Sequence, residues 1–438
     1  MINCFIPFLS LPQARQTVRA LGLCDRIKNI YLLATEKIPD EVEGCEMLMI
    51  DSPASTATFR TIALHADTAY TLLYTKYTAF EPGQFAFERL LAIAGDTNAG
   101  MLYADRYLLK NGNSQQAPVI DYQKGSLRDD FDFGSLLFFR SSVLKQAVRA
   151  MDADYRFAGL YDLRLRVSEL AELVHVNEYL YSEVETDIRK SGEKLFDYVD
   201  PKNRAVQIEM EAVCTAYLKR VGGYLAPDFE PVTFDAGGFE QEASVIIPVR
   251  NRIRTIEDAI RSVLAQKTTF RFNLIIVDNH STDGTSEAIE KYTADGRVVH
   301  LVPERSDLGI GGCWNVGVHH PACGKFAVQL DSDDVYSGPD TLQKIVDAFY
   351  EQNCAMVVGT YRMTDFKMNE IPPGIIDHRE WTLENGRNNA LRINGLGAPR
   401  AFYTPVLRRI NLPNTSYGED YALGLRISRT WRIGRIYD

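Results

Sequence analysis

The chain has 438 residues, of which 45% are hydrophobic and 24% charged, and its formal net charge is −10. This composition is that of a soluble globular protein, and the length predicts two or three domains because one ordinary core does not grow that large. The negative charge argues against non-specific nucleic-acid binding, which needs a basic surface. It is compatible with a diphosphate ligand, since a divalent cation can supply positive charge locally.

No apolar run approaches the roughly 20 residues that a membrane-spanning helix needs. The N-terminal stretch Met1–Pro7 lacks the basic and apolar regions of a signal peptide. We therefore expect a cytoplasmic protein, with peripheral attachment at the inner face of the membrane, through a partner, as an open alternative. Seven cysteines are scattered without a C-x-x-C pair, which argues against disulfides and a zinc site and favours reduced thiols.

The first part of the chain contains short apolar runs typical of strands, at 5–7, 29–33 and 69–73, and a helix-like run at 163–168. After it, residues 204–221 are helix-like and charged, and glycines and prolines then interrupt the pattern up to residue 241. These features predict a domain at 1–200, a helical connector at 201–241 and a second domain at 242–438.

From Ala243 onward, short apolar runs alternate with helical patterns. Strands are predicted at 243–248, 274–277, 298–302, 326–330 and 355–358, and helices after Thr255 and near 284–292, 311–318 and 340–352. This alternation predicts a mostly parallel sheet with helices on both faces. In such sheets ligands bind beyond the carboxyl ends of the strands, which is where the polar clusters of this region fall.

The acidic cluster Asp331-Ser332-Asp333-Asp334 follows one of these strands. Carboxylates this close repel one another unless something positive lies between them. A hard cation such as Mg²⁺ or Mn²⁺, held by one or two carboxylates together with substrate phosphates, meets that need. Taken alone, the cluster is better explained by a solvated acidic turn in which Asp334 or Asp340 caps the next helix.

Three further polar segments also follow strands or begin helices. Pro248, Val249, Arg250 and Asn251 close the first strand, and their backbone groups could line a nucleotide pocket. Asp278 and Asn279 end the second strand, where an aspartate either contacts a base or ribose or caps a helix. A glycine-rich stretch from Asp307 leads into a helix through Trp314-Asn315, or is a plain flexible loop.

Together these segments resemble the signatures of family 2 glycosyltransferases, which have the GT-A fold. The opening strand is similar to Ser244-Val-Ile-Ile-Pro-Val-Arg-Asn251, the nucleotide-binding turn to Val277-Asp-Asn-His-Ser-Thr-Asp-Gly-Thr285, and the metal motif to Leu330-Asp-Ser-Asp-Asp334. They occur in the family's order across about 195 residues. A later Glu-Asp motif of the family resembles Glu419-Asp420, which could otherwise be charge at a helix N-terminus.

The resemblance implies that Asp278 contacts the uracil or ribose of a nucleotide sugar, with the neighbouring residues Pro248, Val249, Arg250, Asn251, Asn279, Asn315 and Ser332 in the same binding site. It implies that Asp331 contacts the ribose or sugar and that Asp333 binds the cation, Mg²⁺ or Mn²⁺. Asp420 becomes the catalytic base, beside Glu419, for inverting transfer by direct displacement. Trp314 stands where the family usually has arginine, which puts details of donor contact in doubt.

The implied protein is a metal-dependent transferase of the hexosyltransferase type, using a nucleoside diphosphate sugar, above all a UDP-sugar. Its acceptor is a glycan or a lipid-linked hydroxyl, in the synthesis of a surface polysaccharide. Selectivity would be set around 395–397 and in the loop 360–390, where His378, Arg379 and Trp381 are candidates. A carbohydrate-binding or scaffolding protein without activity is the alternative. A sugar-nucleotide pyrophosphorylase is disfavoured, because no glycine-rich phosphate loop follows the first strand.

The first half resembles a degenerate copy of the second. Its runs 5–7, 29–33 and 163–168 match 246–248, 273–277 and 423–428, and Ala69–Leu73 matches Phe326–Leu330 at an offset of 257. That offset aligns Lys76 with the metal-binding Asp333, while Leu160 aligns with Asp420 and Ala34 with Asp278. We therefore predict a GT-A-like domain at 1–200 without metal chemistry.

Two alternatives for the first half stay open. The likeness could be a chance similarity of α/β segments, or Lys76 could replace the charge of the metal in a different donor chemistry. An inactive copy would bind acceptor, dock a partner or stabilise the catalytic half. The second copy ends at Asp438 in what resembles a strand, so we also expect that the domain 242–438 is truncated at its C-terminus.

Overall fold

The computed structural model describes residues 1–37, 40–110, 112–184 and 203–438. It consists of two compact units, Met1–Tyr224 and Leu225–Asp438. The division falls inside the predicted connector 201–241. The predicted boundary at residue 200 lies outside the described residues, and the bounds of the two domains stay predictions.

The first unit is built on a large mixed sheet. Its strands are β1 (Ile2–Pro7), β2 (Ile27–Ala34), β3 (Glu46–Met49), β4 (Tyr70–Tyr74), β5 (Phe80–Pro82), β6 (Met101–Lys110), β7 (Asn113–Ala117), β8 (Leu136–Arg140) and β9 (Leu173–Val184). Its helices are α1 (Leu11–Gly22), α2 (Thr56–His65), α3 (Ala86–Thr97), α4 (Ser141–Arg149), α5 (Gly159–Leu170) and α6 (Arg204–Arg220). The strand order is β3-β2-β1-β4-β8-β6-β9-β5, and β7 pairs with β6.

The second unit has a seven-stranded sheet and a separate two-stranded ribbon. Its strands are β10 (Ala243–Val249), β11 (Phe272–Asp278), β12 (Val298–Leu301), β13 (Phe326–Gln329), β14 (Met356–Val358), β15 (Tyr361–Thr364), β16 (Glu370–Ile376), β17 (Arg400–Tyr403) and β18 (Ile433–Arg435). Its helices are α7 (Ile256–Leu264), α8 (Thr285–Glu290), α9 (Ile310–His319), α10 (Thr341–Gln352), α11 (Gly386–Asn389), α12 (Thr404–Ile410) and α13 (Glu419–Ser428). The main sheet runs β12-β11-β10-β13-β17-β14-β18, and β15 pairs with β16.

The two large sheets share one plan. In the first unit β3, β2, β1 and β4 are parallel, β8 is antiparallel to β4 and β6, and β9 is parallel to β6. In the second unit β12, β11, β10 and β13 are parallel, β17 is antiparallel to β13 and β14, and β18 is parallel to β14. The predicted fold class is therefore confirmed: two mixed, mostly parallel α/β sheets flanked by helices, in tandem.

Strand pairing corrects the predicted alignment of the copies by one residue. With Pro7 matched to Pro248, Ile2 corresponds to Ala243, and these residues pair with Tyr70 and Phe326. The offset is therefore 256 rather than 257, so Lys76 corresponds to Ser332 instead of Asp333. The error arose because a run of similar apolar residues looks alike in either register, whereas backbone pairing fixes only one.

The core of the second unit follows from its sequence pattern. Every residue of β11 is buried, and so is every residue of β10 except Pro248, as is typical of strands that are covered on both faces. In α7 the buried side chains are Ile256, Ala259, Ile260 and Val263, which lie on one face at helical spacing. Together these elements hold the carboxyl ends of the parallel strands in fixed positions.

The helix of the predicted connector packs on the first unit. In α6, Val213, Cys214, Tyr217 and Leu218 are buried in a cluster with Tyr161 and Leu165 of α5. All seven cysteines are unpaired in the structure. Among the described residues, no helix has both the length and the apolar character to cross a membrane.

Candidate active site

Three neighbouring parallel strands carry the predicted site residues at one edge of the second sheet. β11 ends at Asp278, β10 ends at Val249, and Asp331 lies two residues beyond the end of β13. Their order in the sheet is β11-β10-β13, so the carboxyl ends are adjacent. The structure therefore brings together the three segments that the sequence singled out.

The loops after β10 and β11 are joined by hydrogen bonds. The backbone N–H of Asn251 donates to Ser281 Oγ at 2.9 Å, and the N–H of Thr282 donates back to Asn251 Oδ1 at 2.8 Å. The N–H of Asn279 donates to the carbonyl of Val249 at 2.8 Å. Asn251 adopts a φ of 54°, a conformation that asparagine tolerates better than most residues. The two loops form one rigid ledge.

Asp278 is fully buried at the base of this ledge. Its Oδ1 accepts the N–H of Ser281 at 3.0 Å, its Oδ2 accepts the hydroxyl of Ser286, and His300 Nε2 lies 3.5 Å from Oδ2. Burial raises the pKa of Asp278, but these hydrogen bonds outweigh it and bring the pKa below its ordinary value. Asp278 therefore anchors the turn, and its contact with a base or ribose stays a prediction.

Asn279, beside it, has a free acceptor. Its Nδ2 donates to the carbonyl of Leu308 at 2.8 Å, while its buried Oδ1 has no hydrogen-bond partner in the described chain. A buried amide oxygen without a donor is costly unless a ligand or water supplies one. This makes Asn279 a better-supported ligand contact than Asp278.

The acidic cluster combines a partly covered and an exposed half. Asp331 is half-buried and Ser332 is buried, whereas Asp333 and Asp334 are exposed at the surface. Arg252 Nε lies 3.7 Å from Asp333 Oδ2. Crowding by protein atoms, followed by the charges of Asp331 and Asp333, raises the pKa of Asp334 to about 6.

The three carboxylates are close enough to repel, yet they do not form a preassembled metal cage. In the described part of the chain, their oxygens do not form a group of three ligand atoms within 4.8 Å of one another. A cation here would need additional ligands, as a cation that also binds diphosphate oxygens has. The donor set therefore fits a hard divalent cation shared with a phosphate ligand.

A buried arginine connects the acidic cluster to the Glu419-Asp420 pair. Gln329 Nε2 donates to Asp331 Oδ1 at 2.8 Å, and Arg400 Nε donates to Gln329 Oε1 at 2.7 Å. The guanidinium of Arg400 also pairs with Asp420 Oδ2. The N–H of Tyr421 donates to Asp420 Oδ1 at 2.6 Å. Each oxygen of Asp420 thus has one donor.

Glu419 differs from Asp420 in having a carboxylate oxygen without a partner. The residue is 7% exposed, and its buried Oε2 makes no hydrogen bond with any described residue. Burial, with the charges of Asp420 and Asp331, raises the pKa of Glu419. The structure therefore brings both predicted catalytic residues close to the acidic cluster.

The glycine-rich stretch packs closely against the backbone of residues 413–415 and is not a plain loop. A Cβ on Gly311 would lie 2.0 Å from the carbonyl oxygen of Pro413, and one on Gly309 would lie 2.5 Å from the backbone of Thr415. The N–H of Gly311 donates to the carbonyl of Thr415 at 3.0 Å. These close approaches fix the segment that leads into Glu419.

Two other residues of α9 have structural contacts. Both amide atoms of Asn315 hydrogen-bond the backbone of Leu412, at 2.8 and 2.9 Å, so its predicted role in nucleotide-sugar binding remains untested. Trp314 is 3% exposed and packs against Phe402 in the core. The residue that replaces the family's arginine is therefore a core residue here.

Sequence reasoning missed four residues of this site: Gln329, Arg400, Arg252 and Tyr361. Gln329 lies inside an apolar run and was interpreted as part of a strand, although a polar residue in such a run was a usable signal. Tyr361 lies near Asp334 and Arg400, whose charges affect its pKa, and burial raises that pKa. Of the selectivity candidates, His378 and Trp381 are buried, and Arg379 is exposed and paired with Asp377.

The matching edge of the first unit has the opposite arrangement of charge. Residues 75–78, which correspond to 331–334, include no carboxylate. Lys76 pairs with the fully buried Glu183, and Arg106 Nε donates to Glu183 Oε1 at 2.9 Å. Two cations therefore surround Glu183, whereas in the described part of the second unit the cation paired with the cluster 331–334 is the half-exposed Arg252.

Comparison with known proteins shows which family the second unit resembles. The sequence profile described as Glycosyl transferase family 2 matches residues 244–409. A Bacillus subtilis protein, provisionally named teichuronic acid biosynthesis glycosyltransferase TuaG, is 33% identical over 120 residues, which cover 27% of this chain and 46% of that protein. An uncharacterized glycosyltransferase of Rickettsia felis is 30% identical over 200 residues, covering 45% of this chain and 32% of that protein. The chain thus spans less than half of these two relatives.

Solved structures give similar partial matches. S. aureus TarS 1-349 in complex with UDP-GlcNAc is 24% identical with a TM-score of 0.37, covering 45% of this chain and 56% of that one. The mannosyltransferase PcManGT of Pyrobaculum calidifontis, in complex with GDP-Man and Mn²⁺, is 18% identical with a TM-score of 0.35, covering 53% of this chain and 66% of that one.

Proposed function

Since residues 244–409 belong to glycosyl transferase family 2, we propose that the second unit transfers a sugar from a nucleoside diphosphate sugar to a hydroxyl group with inversion. The observation that carries the proposal is that two acidic motifs, Asp331–Asp334 and Glu419-Asp420, are linked through Gln329 and Arg400 at the carboxyl ends of the parallel strands of one sheet. UDP-sugars are the expected donors, and a glycan or lipid-linked hydroxyl in surface polysaccharide synthesis is the expected acceptor.

The rigid ledge formed by residues 248–251 and 278–282 is the proposed nucleotide site. Its shape is set by backbone hydrogen bonds such as that from Asn279 to Val249. The unpartnered Oδ1 of Asn279 can accept a hydrogen bond from a base or ribose. Because β10 lies beside β13, and Asp331 follows β13, a nucleotide bound on the ledge would extend its diphosphate towards the acidic cluster.

The carboxylates of that cluster are the proposed holders of a divalent cation. Asp333, and with it Asp331 or Asp334, would bind Mg²⁺ or Mn²⁺ together with the diphosphate. Crowding by protein atoms and, after it, the charges of Asp331 and Asp333 raise the pKa of Asp334 to about 6, and a cation bound here would relieve the repulsion between these carboxylates. Such a cation would stabilise the negative charge on the departing nucleoside diphosphate.

Asp420 is the proposed general base, with Glu419 beside it. As the acceptor oxygen attacks the anomeric carbon, Asp420 takes the hydroxyl proton, the new C–O bond forms and the bond to the nucleoside diphosphate breaks. Backside attack in one displacement inverts the anomeric centre. The hydrogen bonds from Arg400 and the Tyr421 N–H fix the orientation of the Asp420 carboxylate.

The first unit is proposed to be a non-catalytic copy. It lacks carboxylates at 75–78, and at its equivalent edge the two cations Lys76 and Arg106 are balanced by the two carboxylates of Glu183 and Asp132. A cluster that neutralises itself has no need of a cation or diphosphate. Its remaining roles are binding of acceptor, docking of a partner or stabilisation of the second unit.

The proposal is tested with the full chain and a panel of nucleotide sugars, with and without Mn²⁺. We expect metal-dependent release of nucleoside diphosphate from one donor class, and a loss of at least about 100-fold in Asp333→Ala, because a removed electrostatic contact costs that much in comparable sites. Lys76→Ala, which also removes one charged side chain from a strand end, should retain nearly full turnover.

Each result has a distinct meaning. Absence of nucleoside diphosphate release and of sugar transfer with every donor would refute the catalytic proposal and leave the non-catalytic carbohydrate-binding function. Loss of turnover in folded Lys76→Ala would refute the non-catalytic assignment of the first unit alone.

A further inference from the structure

Arg400 is a buried cation placed between the two acidic motifs. It begins β17, which lies beside β13 in the sheet, and the residue is 7% exposed. Its Nε contacts Gln329, its terminal nitrogen contacts Asp420, and that nitrogen also donates to the carbonyl of Leu396 at 3.2 Å. One side chain thus touches a strand, a loop and the start of a helix.

A buried arginine in this position requires an explanation beyond packing. Removing a guanidinium from water is expensive, and ion pairs of this kind seldom stabilise a protein more than apolar residues of similar volume would. The planar guanidinium can, however, bond two partners at fixed angles, which a lysine cannot do. The geometry is therefore better suited to orientation than to stability.

The chain of contacts from Arg400 reaches both motifs. Through Gln329, whose Nε2 donates to Asp331 Oδ1, Arg400 is tied to the first residue of the acidic cluster. Through its ion pair with Asp420 it is tied to the proposed base. Its charge also acts on Glu419 and Tyr361, where it opposes the larger effect of burial, which raises the pKa of both groups.

We propose that Arg400 is a positioning residue that sets the base Asp420 relative to the acidic cluster. This inference rests on the proposed function and deepens it, because it assigns a role to a residue outside the recognised motifs. The relay Asp331–Gln329–Arg400–Asp420 links the side that binds the diphosphate to the side that activates the acceptor. Arg400 itself touches neither substrate.

The test separates positioning from folding by comparing Arg400→Met with Arg400→Lys. In Arg400→Met we expect kcat to fall by about 100-fold, the loss typical of a displaced catalytic group, while the KM for donor and the affinity for nucleoside diphosphate with Mn²⁺ change by less than about twofold. Arg400→Lys should recover part of kcat, because it keeps the charge but cannot bond both partners. Arg261→Met, on the exposed face of α7, is the matched control and should behave as wild type.

A second measurement does not depend on turnover. Arg400→Met leaves Asp420 without its cation, so it should lower the melting temperature, and adding Asp420→Asn should restore part of that loss. The kcat of the double variant should be no lower than that of Asp420→Asn alone, since both changes act through one carboxylate.

Additive melting shifts, or a parallel loss of kcat and nucleotide affinity, would overturn the inference. So would wild-type kcat in folded Arg400→Met. A wild-type chain that releases no nucleoside diphosphate would instead refute the proposed function, and the melting temperatures would still decide whether Arg400 and Asp420 are coupled.

Discussion

Replacement of Gly311 by alanine tests whether the glycine-rich start of α9 positions the proposed catalytic residues. The backbone of this residue touches the segment that leads into Glu419. A Cβ on Gly311 would lie 2.0 Å from the carbonyl oxygen of Pro413 and 3.1 Å from the Cβ of Glu419. The first distance is impossible without movement of backbone.

The expected cost is the difference between two opposing effects. Overpacking a tightly packed contact typically costs about 1–3 kcal/mol, whereas alanine in place of glycine inside a helix gains about 0.5–1 kcal/mol. Because the clashing atom is backbone, which cannot rotate away, we expect a net loss of roughly 1–2 kcal/mol. For a unit of the size of Leu225–Asp438, this corresponds to a melting temperature lower by about 2–8 °C.

The larger effect should be on turnover. Relief of the clash moves the segment 413–415 and with it Glu419-Asp420, and a shift of about 1 Å at a catalytic group can lower kcat by about 100-fold. The assay combines thermal unfolding with donor turnover for wild type, Gly311→Ala and Gly296→Ala. Gly296 is the matched control, because a Cβ there would meet nothing within 4 Å.

A Gly311→Ala chain that melts and turns over like Gly296→Ala would refute the reasoning. It would mean that the close approach between α9 and Pro413 is not required for the geometry of the site. A drop in melting temperature with unchanged kcat would keep the packing argument and refute the positioning argument.

Two further predictions concern histidines of the second unit. Burial, and then the charge of Arg435, lower the pKa of His378 to about 4 in the folded protein. In the unfolded chain the pKa of histidine is near 6.5, so below about pH 6.5 the unfolded chain binds a proton that the folded protein does not bind. The free energy of unfolding therefore falls with pH in this range, by roughly 1.4 kcal/mol per pH unit. Unfolding free energies at pH 7 and pH 5 should therefore differ less in His378→Leu than in wild type, and equal differences would contradict this. His280 has a φ of 58°, and its ring makes an exposed hydrogen bond with the carbonyl of Arg305 at 3.1 Å; because relief of the backbone strain outweighs an exposed hydrogen bond, His280→Gly should raise stability by roughly 0.5–1 kcal/mol. Asn251→Gly, at a φ of 54°, should instead lower it, because Asn251 Oδ1 accepts a backbone hydrogen bond.

Strands β10 to β14 of the second unit were predictable because each lies in a mostly apolar run, whereas β15 to β17 lie in short or partly polar segments and were not predicted. The run 243–248 became β10, and the run 274–277 lies inside β11. The edge at which the motifs meet was predictable too, since parallel strands present their carboxyl ends together. Local sequence therefore determined which residues follow strands and which edge they share.

Contacts between distant residues were not predictable in this way. Arg400 and Asp420 are 20 residues apart, and Arg400 and Gln329 are 71 apart, so no periodicity joins them. The offset of 257 was wrong for a related reason, because register is decided by pairing between strands and not by the sequence of one strand. What sequence alone omits here is the polar network that only the assembled sheet creates.

The comparison of the two units gives the strongest electrostatic argument for assigning activity to the second. In the first unit, Lys76 and Arg106 pair with the buried Glu183, and Arg106 also pairs with Asp132, so two cations face two carboxylates. In the second, the nearest cation to Asp333 is the half-exposed Arg252, at 3.7 Å, and Asp334 has a pKa raised to about 6 by its surroundings and its acidic neighbours. A divalent cation bound at this edge would offset the repulsion between these carboxylates. The two sheets share a strand plan but differ in charge at the corresponding edge. In the first unit the charged side chains pair with one another, whereas in the second the carboxylates would be balanced by a cation that also binds a diphosphate.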